Sequence, residues 1–233
     1  MTRPELVVFD CDGVLVDTER LTVVVESRVL GELGWPMTPE EVVERWMGRS
    51  SQVQLADLEL RLGADRAREF DQRTTAELHE TFHRELTAIE GVGSLLDHLD
   101  AQGVPTCVAS SGTHDRIRRT LGITGLRARF EDRIFSATDV EHGKPAPDLF
   151  LHAASALDTD PSACAVVEDS VYGVQAGVAA GMTVYGFAGG LTAADALAAA
   201  GAITFEDGQQ VPGTGHGQAH PVTVAAGRAR PAR

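Results

Sequence analysis

The chain has 233 residues, 43% hydrophobic and 23% charged, with a net charge of −14. That is the composition of an ordinary globular protein, long enough for one large domain or two small ones. The charge argues against nucleic acid or an anionic membrane as partner. It also argues against a phosphorylated ligand unless a metal and a few cations reverse the field locally, within the roughly 8 Å over which physiological salt screens it.

The three cysteines, Cys11, Cys107 and Cys164, lie in or beside apolar runs without C-x-x-C spacing. They read as reduced, buried thiols of a cytoplasmic protein. No signal peptide or membrane span is recognisable, and a monomer is the default expectation. Of the 20 basic residues only Lys144 is lysine; the rest are arginine.

The first predicted strand spans 5–10. Its apolar run Leu6-Val7-Val8-Phe9 opens into Asp10-Cys11-Asp12-Gly13. In a parallel α/β sheet, ligands bind at the carboxyl ends of strands. Two carboxylates two residues apart at that edge project the same way. They would share a hard cation such as Mg2+, or divide the work of nucleophile and general acid/base. The same tetrapeptide also reads as an Asp-rich turn.

From residue 17 to 89 the pattern is helical with no convincing strand. Apolar positions recur at Leu21, Val25 and Val29, then at Val42 and Trp46, then at Leu55, Leu58 and Leu62, then from Phe70 to Phe82. An insertion after the first strand would sit over the carboxylates as a lid. Beyond it, predicted strands 104–110, 134–136, 163–168 and 182–187 alternate with helical patterns at 92–102, 113–121, 147–157, 171–180 and 192–200. That alternation implies right-handed βαβ crossovers and a parallel sheet. The expected division is a Rossmann-like α/β core at 1–16 and 90–206, an all-α helical cap at 17–89 and a flexible tail at 207–233. His216 and His220 in the tail reflect composition rather than a metal site.

Three more segments end at the same sheet edge. Ser110-Ser111-Gly112 closes the second strand before a helix, as a phosphate site at a helix N-terminus or as a simple cap. Gly143-Lys144-Pro145-Ala146-Pro147-Asp148 is expected to run extended and then launch a helix, fixing where Lys144 points. Glu168-Asp169-Ser170 ends an apolar strand with paired acids whose repulsion a metal would relieve, although Asp169 or Ser170 also reads as a helix cap.

These motifs, in this order and each on a βα junction, resemble the haloacid dehalogenase superfamily. Asp10/Asp12, Ser110, Lys144 and Glu168/Asp169 occupy its four motifs. The helical insertion resembles the C1-type cap of its β-phosphoglucomutase-like branch, in the sugar-phosphate phosphatase type. The stretch Phe9 to Glu19, the G-K-P-x-P-D segment and V-E-D-S-x-x-G-x-x-A-x-x-A-G-M, with Gly173 and Gly181, carry the resemblance.

The resemblance implies a phosphatase acting on small phosphorylated metabolites, sugar or sugar-acid phosphates. Asp10 would be the nucleophile and Asp12 the acid/base. Lys144, Ser110 and Ser111 would contact the phosphate. Mg2+ would be held by Asp10, the Asp12 backbone, Glu168 and Asp169. Thr18 and Glu19 at the hinge, Arg49 and Ser50 in a cap loop, and His114 after Ser110 would face the substrate; Arg49 would bind a second anionic group, or is a solvated arginine.

The alternative is a phosphoglucomutase. Those enzymes carry a cap histidine shortly after the hinge and a cap lysine, where this chain has Arg20-Leu21-Thr22 and no cap lysine. Dehalogenase chemistry dispenses with the second aspartate, and a phosphonate hydrolase would use the missing lysine. A receiver-like phospho-binding module would be about half this length and would have no lid.

Overall fold

The computed structural model describes residues 3–46 and 51–206. Six parallel strands form one sheet in the order β3-β2-β1-β4-β5-β6. They are β1 (Leu6–Phe9), β2 (Thr106–Ser110), β3 (Ile134–Ser136), β4 (Cys164–Glu168), β5 (Thr183–Phe187) and β6 (Ile203–Phe205). The chain is thus an α/β protein with a Rossmann-like parallel sheet, as the strand–helix alternation predicts. β6 is an additional edge strand; its three residues, of which only Phe205 is buried, carry too little pattern to read in the sequence.

Each central strand is buried on both faces, which explains its uninterrupted apolar run. Alternation by twos sorts the side chains into two cores. Leu6, Val8, Cys107, Ala109 and Val166 face one core, together with Leu149 and Phe150 of α8 (Asp148–Ala156) and Val174 of α9 (Val171–Ala179). Val7, Phe9, Val108 and Val167 face the other, with Leu96 of α5 (Val92–Ala101), Ile117 of α6 (His114–Ile123) and Phe130 of α7 (Arg127–Phe130). A further helix, α10 (Ala194–Ala200), precedes β6. All three cysteines are free and buried.

Between β1 and α5 the chain forms α1 (Thr18–Glu32), α2 (Pro39–Trp46), α3 (Ser51–Leu62) and α4 (Ala64–Glu85). Their apolar faces meet around Leu30, Val42, Trp46, Phe70 and Phe82, and this cluster is continuous with the second sheet core. Trp46 packs edge-on to Trp35 at 5.7 Å, and its indole N–H donates to Asp57 at 2.9 Å. The two connections to these helices run side by side: the Asp17 amide donates to Thr87 at 3.0 Å and the Ile89 amide to Leu15 at 3.0 Å. Both leave from the end of β1 that carries Asp10.

Candidate active site

The carboxyl ends of β1, β2 and β4 lie next to one another because β1 is flanked by the other two. Strand order reverses direction at β1, and the loops there part to leave a crevice. Asp10 follows β1, and its amide extends the ladder to Val167 at 2.9 Å. Ser110 ends β2 and Glu168 ends β4. These residues, with Asp12, Thr18, Glu19, Ser111, Lys144 and Asp169, line one cavity of about 220 Å³.

Lys144 binds the group together. Its ammonium donates to Asp10 Oδ1 at 2.6 Å, Glu168 Oε1 at 2.7 Å and the Ala109 carbonyl at 3.2 Å. The other Glu168 oxygen accepts from the Ser170 amide at 2.7 Å and hydroxyl at 2.9 Å. Burial lowers a lysine's pKa, but the two carboxylates outweigh it and hold Lys144 firmly protonated. The segment carrying it is not extended as expected. It turns back, with the Ala146 amide donating to Gly143 O at 3.0 Å across a cis Lys144–Pro145 peptide. A proline in the third position lets four residues close a turn, and α8 then starts at Asp148.

Asp12 has different surroundings. Its Oδ1 accepts from the Thr18 hydroxyl at 2.6 Å and from the Arg116 guanidinium at 3.2 Å. Burial would raise its pKa, but Arg116 and Thr18 together hold it below the usual aspartate value. Asp10 moves the opposite way. Burial and the neighbouring acids lift it to about 7 despite Lys144. Two aspartates two residues apart therefore have pKa values pushed in opposite directions, Asp10 upward and Asp12 downward; a cation bound beside Asp10 would return it to the ionised form.

The third cluster is acidic and short of donors. Asp169 Oδ2 and Glu19 Oε2 are buried, and neither has a hydrogen-bond partner among the described residues. Burial lifts Glu19 to about 8 and raises Asp169 well above the normal range. Glycines make the room. A methyl at Gly13 would stand 2.0 Å from Asp169 Oδ2, at a φ of +77° that side chains avoid. One at Gly173 would stand 1.7 Å from Glu168 Oε1. Asp169 does not cap α9; Ser170 does, accepting from the Gly173 amide at 3.0 Å, which leaves Asp169 for the cavity.

One oxygen each of Asp10, Glu168 and Asp169 lies within 4.8 Å of the others. Hard anionic oxygens with an unpartnered buried atom suit a hard divalent cation such as Mg2+.

On the far side of β1, Ser110 Oγ accepts from the Gly112 amide at 3.1 Å, and Thr113 caps α6. The expectation for His114 is corrected. It does not line the cavity but turns outward to pair with the Asp139 carboxylate at 2.9 and 3.0 Å, a partner brought there by the turn after β3. Arg49 and Ser50, and the tail from 207, lie outside the described residues. Sequence reasoning missed Arg116. One turn past the α6 cap, it lines the cavity and holds Asp12, with its guanidinium carbon 5.6 Å from the centre of the Phe82 ring. A single arginine among many leaves no local signal. Cys11, between the two aspartates, is no rival nucleophile, because burial and both neighbours push its thiol well up.

Comparison with known proteins agrees with this geometry. Residues 7–187 match the family model described as haloacid dehalogenase-like hydrolase. The chain is 37% identical over 188 residues to the 6-phosphogluconate phosphatase of Escherichia coli (strain K12), covering 80% of this chain and 84% of that protein. It is 31% identical over 195 residues to the β-phosphoglucomutase of Bacillus subtilis (strain 168), covering 77% and 81%. It is also similar to the crystal structure of a HAD family hydrolase from Deinococcus radiodurans R1 with bound phosphate and sodium, at TM-score 0.73 and 32% identity over 88% of this chain and 91% of that one.

Proposed function

The chain belongs to the haloacid dehalogenase-like hydrolase family, and we propose that it is a Mg2+-dependent phosphatase that hydrolyses sugar or sugar-acid phosphates through an aspartyl-phosphate. One observation carries the reading. A single buried ammonium joins Asp10 to Glu168, while Asp12, two residues on, is held apart by Thr18 and Arg116.

In the first half-reaction an Asp10 carboxylate oxygen attacks phosphorus in line, and the bond to the ester oxygen breaks. Lys144 holds the other side of that carboxylate and faces the phosphoryl oxygens, whose charge it offsets. Asp12, ionised before substrate binds, takes up the proton that a substrate monoanion brings and hands it to the departing alcohol oxygen. Phosphate monoesters have a second pKa of about 6, so the monoanion carries a proton into the site. In the second half-reaction water attacks phosphorus and Asp12, now ionised, accepts its proton. Inorganic phosphate leaves and Asp10 is restored. A magnesium ion held by Asp10, Asp169, the Asp12 carbonyl and Glu168 would neutralise charge that six acids around one cavity otherwise leave unbalanced. Ser110 and Ser111 beside the N-terminus of α6 serve as phosphate ligands.

Likeness to a mutase favours a second reading, in which the phosphoryl group returns to the sugar. The absence of a histidine at Arg20-Leu21-Thr22 and of any lysine between 17 and 89 supports hydrolysis instead. Incubation with glucose 1-phosphate and Mg2+ separates the two: free phosphate supports hydrolysis, glucose 6-phosphate the mutase. Asp10→Asn is expected to abolish phosphate release from p-nitrophenyl phosphate while the protein stays folded, and wild-type turnover in that variant would remove Asp10 as nucleophile.

A further inference from the structure

The half of the cavity away from Lys144 has its own chemistry. Val23, Val42 and Trp46 form an apolar wall, and Glu26, Gln54 and Arg116 are set beside it. Gln54 Nε2 donates to Glu26 Oε1 at 3.0 Å, joining α3 to α1 in the cavity lining. Glu26 and Asp12, the leaving-group proton donor, line the same cavity as Arg116. The mechanism proposed above leaves Glu26 without a task.

Charge narrows what fits there. The lining residues named in the structure include two cations, Lys144 and Arg116. Lys144 is engaged by Asp10 and Glu168, and Arg116 by Asp12. A second anionic group on the leaving alcohol would meet the Glu26 carboxylate, and like charges brought together repel. A carboxylate steadied by an amide, next to an apolar wall, is instead a hydrogen-bond acceptor for hydroxyls on a molecule with apolar C–H faces.

Building on the phosphatase reading, we propose that Glu26, held by Gln54, is a specificity-determining residue that reads the hydroxyls of an uncharged sugar or polyol leaving group and disfavours leaving groups carrying a carboxylate. This narrows the substrate class to phosphates of neutral polyhydroxylated alcohols.

The test uses two six-carbon esters differing only at carbon 1, sorbitol 6-phosphate and 6-phosphogluconate, with Mg2+ present. Wild-type protein should favour the neutral ester in kcat/KM. Hydrogen bonds to charged groups are strong enough that Glu26→Gln should lower that preference by about tenfold or more. Glu59→Gln, an exposed cap acid outside the cavity, should leave the preference unchanged. If Glu26→Gln does not fold, Gln54→Ala, which releases the Glu26 carboxylate, should narrow the preference in the same direction. Titration of Asp10→Asn protein with each ester gives the same comparison as a ratio of Kd. Wild-type preference for 6-phosphogluconate, or a folded Glu26→Gln protein with the wild-type ratio, overturns the proposal. If wild-type protein hydrolyses neither ester, the Kd ratio still decides this proposal, and only failure on p-nitrophenyl phosphate as well removes the phosphatase reading.

Discussion

Lys144 Nζ lies 2.6 Å from Asp10 Oδ1 across 134 residues of chain. The pair is buried, with Glu168 as a third member at 2.7 Å from the same nitrogen. Breaking a buried charge cluster by removing one partner costs about 3–5 kcal/mol, because the survivors stay desolvated. Lys144→Met should therefore lower stability by roughly that amount in a urea melt and reduce kcat/KM on p-nitrophenyl phosphate by about 10²–10³, as losing one preorganised stabiliser does. Lys144→Arg should not rescue activity, since a planar guanidinium cannot replace a point ammonium between two carboxylates. Near-wild-type kinetics in either variant would remove Lys144 from the reaction.

The metal-free protein should lose stability as pH rises. Asp10 sits near 7 and Glu19 near 8 when folded, whereas both ionise around pH 4 when unfolded. Between about pH 4 and pH 8 the folded chain binds more protons than the unfolded one, so the slope of stability against pH is negative. Melting in EDTA should show Tm falling from about pH 5 to about pH 8. Added Mg2+ should raise Tm most at the alkaline end, since metal binding favours ionised ligands. A Tm in EDTA that climbs across this range would contradict the assignment.

Arg116→Met should weaken catalysis through Asp12. Removing the cation raises the Asp12 pKa, so the acid limb of the kcat–pH profile should move to higher pH. Arg116→Lys should restore part of that shift, which a purely structural role would not explain. An unmoved profile in a folded Arg116→Met protein would detach Arg116 from Asp12.

Gly173→Ala should be damaging although it adds one methyl in a helix. The new carbon would stand 1.7 Å from Glu168 Oε1, and Glu168 cannot yield without leaving Lys144. Overpacking of this kind costs about 1–3 kcal/mol. Thermal denaturation and Mg2+ titration should both register it. Gly177→Ala, where the added methyl meets Val184 at 2.7 Å, should cost stability and leave Mg2+ affinity unchanged.

Residues whose meaning is local could be read directly from the chain. The runs Leu6-Val7-Val8-Phe9 and Ala165-Val166-Val167 are apolar because both faces of a parallel strand are buried, so the central strands and the acids at their ends stand out. Three-residue β6, partly exposed at an edge, has no such run. The bend at Gly143–Ala146 escapes for another reason: proline restricts the backbone but leaves open whether it extends or turns.

What required three dimensions was every relationship between distant segments. Residue order places Asp10, Ser110, Lys144 and Asp169 on separate loops; the strand order, with β1 between β2 and β4, brings them to one cavity. Arg116 gains its place beside Asp12 only when α6 packs near Phe82, and His114, two residues earlier on the same helix, turns to Asp139 instead. The reason is physical. Strand formation follows from burial and alternation, which are written residue by residue, whereas the partner of a charged side chain depends on which desolvated neighbour the finished packing leaves within about 3 Å.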